Sequence, residues 1–98
     1  MNKELEKIIE TVKSLQDKIR DRYKAKVLGI FGSYTRGEQK SGSDVDVLVE
    51  FQSEADLIHF VGVSLFLEEE LGLNVDIVPY DTIGPEIKET ILREVVYL

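Results

Sequence analysis

The chain has no cysteine. That excludes disulfides and cysteine-based zinc sites, and it fits a reducing, cytoplasmic setting. Its one histidine is His59, so histidine-ligated metals and Ser-His-Asp chemistry have almost no material here. Positive charge is in deficit: 12 Lys and Arg stand against 19 Asp and Glu, a formal net charge of −7. Duplex nucleic-acid binders present a basic face, so general DNA or RNA binding is disfavoured. An acidic surface suits cations or a basic protein partner. No apolar run is long enough to span a membrane, and the opening MNKELEKIIETV is charged and amphipathic, unlike a signal peptide. There is no G-x-G-x-x-G. Gly32 and Gly37 have the glycine spacing of a P-loop, but Glu38-Gln39 stand where Lys-Ser/Thr is required.

What is present reads as one α/β domain spanning residues 1–98. Leu5, Ile8, Ile9, Val12, Leu15, Ile19 and Tyr23 recur every three or four positions, which predicts a helix over 3–23. AKVLGIF (25–31) is apolar and β-branched, and DVDVLVEF (44–51) alternates: two strands. NVDIVPY (74–80) is a third. Helices are expected over 33–36, 56–71 and, opened by Pro85, over 85–97, with Ile87, Ile91, Leu92, Val95 and Val96 on one stripe. Helices alternating with strands predict a small layered sheet flanked by helices.

The chemistry concentrates in 31–51, FGSYTRGEQKSGSDVDVLVEF. Asp44 and Asp46 project from one face of a strand, about 6.5–7 Å apart. Two carboxylates that close repel unless a positive charge joins them, and Mg²⁺ is bound through one or two carboxylates plus substrate phosphates. Asp76, in the apolar VDIV (75–78), would be a third acid if its strand neighbours 44–51. Three acids can hold two ions about 3.5–4 Å apart for in-line phosphoryl or nucleotidyl displacement. Gly32-Ser33, directly after a strand, offers close backbone approach and a hydroxyl to phosphate, and Arg36 a forked cation. If the strands 25–31 and 44–51 run antiparallel, this cradle lies beside the acids. The simpler readings are an acidic solvent face for Asp44 and Asp46, a lone strand acid for Asp76, a helix N-cap for Ser33 and a surface charge for Arg36. Leu48, on the acids' face, argues against full exposure. Lys40 reads as a solvated loop cation, His59 as structural and Glu68-Glu69-Glu70 as a solvated face.

Gly32-Ser33, residues 34–43, then Asp44-x-Asp46 resembles the G-S-x10-D-x-D signature of the DNA polymerase β-type nucleotidyltransferases. GSYTRGEQKSGSDVDVLVEF is similar to the pattern of their smallest members, the minimal nucleotidyltransferases paired with HEPN-domain toxins. LNVDIV and the closing PEIKETILREVVYL also resemble that family. The resemblance implies a polymerase β-like fold, Mg²⁺ (two ions) and ATP. It implies Gly32, Ser33 and Arg36 at the triphosphate, Asp44 and Asp46 on the metal ions, and Asp76 as a further metal ligand that helps deprotonate the acceptor. It further implies AMP transfer to a hydroxyl, expected to be tyrosine, of a HEPN RNase toxin. Thr35 departs from the usual alanine.

Residues 57–67 are apolar almost all round. Either that helix is sandwiched in the core or its outer side meets another chain, with Gly62 and Ser64 allowing close helix approach. The partner reading is favoured. Polymerases, poly(A)- and CCA-adding enzymes and antibiotic-modifying members of the family carry extra domains that hold the acceptor, so the resemblance implies that the acceptor here arrives by a partner's docking. The alternative to an enzyme is an antitoxin that blocks its toxin by complex formation alone.

Overall fold

The computed structural model describes residues 2–98. Helix α1 (Lys3–Tyr23) starts where the Asn2 side chain accepts the Leu5 N–H at 2.8 Å, and its periodic stripe is buried from Leu5 to Ile19. It leads into β1 (Ala25–Phe31), the single-turn helix α2 (Ser33–Arg36) and β2 (Val45–Phe51). Then come α3 (Leu57–Leu71), β3 (Val75–Pro79), a 3-10 turn at Tyr80–Thr82, α4 (Pro85–Glu94) and β4 (Val96–Tyr97). Among the described residues, no helix is long and apolar enough to cross a membrane.

The four strands form one mixed sheet in the order β3-β2-β1-β4. β1 is antiparallel to both β2 and β4, and β2 is parallel to β3 through the α3 crossover. Alternation along β2 sorts the core. Val45, Val47 and Val49 are buried with the α1 and α3 residues, while Leu48 joins Phe31 and Ile91 of α4 on the other face. The sheet is therefore sandwiched between helices, as the alternation of elements predicts.

Three expectations need correcting. The last helix does not run to Tyr97: it ends at Glu94, Val95 is extended (φ −64°, ψ 135°), and Val96–Tyr97 pair with Gly29 and Ile30 on the open edge of β1. A two-residue strand at the end of an amphipathic helix leaves no periodic trace. The edge of β1 decides it, helped by the Leu98 N–H donating to the Leu28 carbonyl at 3.1 Å. Ile87, expected on the buried stripe, is 61% exposed; only the end of α4 reaches the sheet, through Ile91. Gly62 does allow close helix approach, but within the chain. A Cβ there would stand 2.7 Å from Cε1 of Tyr23, whose ring also lies 5.5 Å from that of Phe66.

The rest of α3 has its apolar excess facing outwards. Val63 and Leu67 are fully buried, but Leu57 and Ile58 are 73% and 79% exposed, with Val61 and Leu65 beside them. The sandwiched-helix alternative is thus excluded for that face. His59 is structural: Asp56 caps the helix and His59 Nδ1 accepts the Asp56 N–H at 3.1 Å. Glu69 and Glu70 are solvated, whereas Glu68 accepts the Val75 N–H at 3.1 Å and so fixes the start of β3.

Gly29 is what lets β4 dock. A Cβ there would lie 2.6 Å from the Val96 carbonyl oxygen and 2.6 Å from Val95 Cγ2. The carbonyl is backbone and cannot yield. Gly29→Ala is expected to pry β4 from β1 and lower stability by about 1–3 kcal/mol, read as an earlier urea midpoint with an unchanged slope.

Candidate active site

The antiparallel pairing of β1 and β2 brings the end of one strand beside the start of the next. Phe31 is opposite Asp46, so Gly32 and Ser33 leave the sheet next to the acids. The parallel pairing of β2 and β3 sets Asp46 directly opposite Asp76. Asp44 lies one residue before β2 and is exposed, as is Asp76; Asp46 is half-buried between its neighbours.

Gly32 is in contact with Asp46. Its φ of 82° and ψ of −153° belong to a region reached almost only by glycine, and a Cβ on it would stand 2.0 Å from Asp46 Oδ2. Gly32, not Ser33, is the N-cap of α2, and no side chain caps that turn. The N-cap reading of Ser33 therefore falls. Thr35, the departure from the usual alanine, ties the corner down: its hydroxyl donates to the Gly32 carbonyl at 2.7 Å. Tyr34 anchors α2 in the core, and its carbonyl accepts Asn2 Nδ2 at 2.9 Å. Burial, with Glu4 and Asp44 nearby, pushes the Tyr34 hydroxyl pKa up.

The electrostatics are those of crowded anions. The Asp46 carboxyl is pushed from 3.8 to about 6, first by burial, then by the charges of Asp76, Asp44 and Glu94, with Arg36 opposing. Such a donor set fits a divalent cation, which would remove the repulsion. Among the described residues, however, no three His, Cys, Asp or Glu side chains already form a set spaced to hold an ion.

The sign of a stability effect follows. An acid whose folded pKa is raised is destabilising when ionised, so its cost appears as pH rises past about 4 and is complete above about 6. The gap between 3.8 and about 6 corresponds to about 3 kcal/mol, and solvent screening at this half-buried position reduces it to about 1–2 kcal/mol. In metal-free buffer at pH 7, Asp46→Asn is expected to unfold at a higher temperature than wild type. At pH 4 the two should coincide. Equal melting at both pH values would contradict the crowding.

Arg36, predicted at the phosphate, is half-exposed and held by two carboxylates, Glu38 Oε1 at 2.5 Å and Glu94 Oε2 at 2.9 Å. Glu94 also accepts the Gly32 N–H at 2.9 Å. The sequence reading missed Glu94, which lies 62 positions from Gly32. It also missed Tyr34, whose signal was available as the one aromatic side chain in the polar stretch 33–43.

Comparison with known proteins places this geometry. The nucleotidyltransferase domain family matches residues 5–98. The protein adenylyltransferase MntA of Thermococcus cleftensis is 42% identical over 94 residues, covering 96% of this chain and 95% of its own. A solved structure described as a candidate minimal nucleotidyltransferase superposes with a TM-score of 0.74 at 34% identity, covering 92% of this chain and 95% of that one. A toxin–antitoxin solved with AMP-PNP has the same fold, with a TM-score of 0.72 at 23% identity, covering 92% of this chain and 70% of that one.

Proposed function

The chain belongs to the nucleotidyltransferase domain family, and from that membership we propose that it moves AMP from ATP to a hydroxyl on a HEPN-domain toxin, tyrosine being the expected acceptor, and so neutralises it. The observation that carries this reading is the contact between Gly32 and Asp46, which joins a backbone corner suited to phosphate to the acids beside it. The relative named as a protein adenylyltransferase supports the reaction class, and the neighbour solved as a toxin–antitoxin with AMP-PNP supports a toxin as the partner and ATP as the nucleotide.

In this reading Gly32 and Ser33 receive the triphosphate, with Arg36 lending charge. Asp44, Asp46 and Asp76 would hold two Mg²⁺ ions, which when bound polarise the phosphate and offset its charge. Asp76, across the register from Asp46, takes the proton of the acceptor hydroxyl. The acceptor oxygen bonds to the α-phosphorus, the α–β anhydride bond breaks, and pyrophosphate leaves with the displaced electron pair. The exposed apolar stripe of α3 (Leu57, Ile58, Val61, Leu65) is where the partner docks and brings its hydroxyl.

The test mixes the purified protein with a purified HEPN-domain toxin, Mg²⁺ and ATP labelled in its α-phosphate. Label on the partner and an intact-mass gain of whole AMP units are expected. Silencing of the partner without label or mass gain would replace this reading with blockade by complex formation.

A further inference from the structure

Glu94 is out of place by the usual rules. It is the last residue of α4, where a negative charge opposes the helix dipole. It is partly buried, with 30% of its side chain exposed. Its two oxygens are nevertheless well occupied: Oε1 accepts the Gly32 N–H at 2.9 Å and Oε2 accepts Arg36 Nη1 at 2.9 Å. These two donors are the backbone group of the glycine corner and the forked cation that the nucleotidyl-transfer reading assigns to phosphate. One carboxylate thus spans them much as two oxygens of a phosphate group would. Gly32 is held on both sides, by Glu94 on its N–H and by Asp46 against its α-carbon.

We infer that Glu94 is a positioning residue of the nucleotide site: an internal anion that holds the Gly32 N–H and Arg36 at phosphate spacing and gives them up to the incoming triphosphate. The inference rests on the nucleotidyl-transfer reading. The exchange is physically undemanding. β4 stays paired with β1 through Gly29 and Ile30, so only the Glu94 side chain has to swing away, and both donors are satisfied before and after. It also has a consequence for affinity, because the triphosphate must evict a charge of its own sign.

Inorganic triphosphate and ATP, at fixed Mg²⁺, separate this role from that of a strut tying α4 to the corner. Glu94→Gln keeps an acceptor for the Gly32 N–H but loses the charge. It should bind inorganic triphosphate about tenfold more tightly by calorimetry, and lower the KM for ATP by a similar factor with kcat within about threefold. Glu94→Asp keeps the charge on a stem too short to span both donors, and should stay within about threefold of wild-type affinity. In the wild type, triphosphate should move the Gly32 amide resonance. If Glu94→Gln binds no tighter than wild type, or if it and Glu94→Asp behave alike, Glu94 is a strut and the inference fails while the nucleotide site stands. If wild type binds neither triphosphate nor ATP, both fall.

Discussion

Asp44→Asn/Asp46→Asn is expected to abolish AMP transfer, with a loss of about 10³-fold or more, while the protein remains folded. Both acids sit at the mouth of β2, one just outside it and one inside, and Asp46 lies against the glycine corner. Two amides cannot hold divalent ions against a triphosphate, and charge stabilisation of this kind is worth several kcal/mol, with each 1.4 kcal/mol a factor of ten in rate. Unfolding is not the expected cause of the loss. The Asp46 carboxyl is itself a destabilising charge at neutral pH, so removing it should raise the melting temperature as activity disappears. Transfer of labelled AMP and thermal melting, measured on one preparation, give both readings. A double variant that labels the partner at the wild-type rate would remove these acids from the mechanism. A variant that melts early would reassign them to structure.

Gly32→Ala is expected to be nearly as damaging, by a different route. The backbone at Gly32 (φ 82°, ψ −153°) costs about 1–3 kcal/mol for any residue with a side chain. The added methyl would also stand 2.0 Å from Asp46 Oδ2, so the carboxylate must rotate out of its position. Displacing a reacting group by about 1 Å is enough to lose about 10²-fold in rate. The variant should therefore show both an earlier urea midpoint and a roughly hundredfold drop in AMP transfer. Full activity in Gly32→Ala would show that the corner does not need this close approach.

How much of this was legible in the sequence depended on how local each feature is. The stripe from Leu5 to Ile19 and the alternation of Val45, Val47 and Val49 are periodic, and periodicity survives folding because one face of each element meets the core. The corner was legible for a related reason. Gly32, Ser33, Asp44 and Asp46 lie at the adjoining ends of two successive strands, and a short connection makes an antiparallel pair the natural outcome. Glu94 was not legible, because nothing around it in the closing LREVVYL marks it: its partners Gly32 and Arg36 lie 62 and 58 positions away. β4 was hidden because two residues carry no period, and its existence depends on the missing side chain at Gly29. Gly62 was rightly read as permitting a close approach, but the neighbour is Tyr23 of the same chain, a distinction that only the three-dimensional packing of α1 on α3 can make.

The bare stripe on α3 sets the colloidal behaviour of the isolated chain. Four large apolar side chains in a row invite self-association, and the charge of −7 keeps copies apart. That repulsion reaches about 10 Å at 0.1 M salt and only about 3 Å at 1 M. Concentrated salt, which leaves the stripe's attraction intact, therefore drives unpartnered copies together, and the chain is best kept dispersed in dilute buffer.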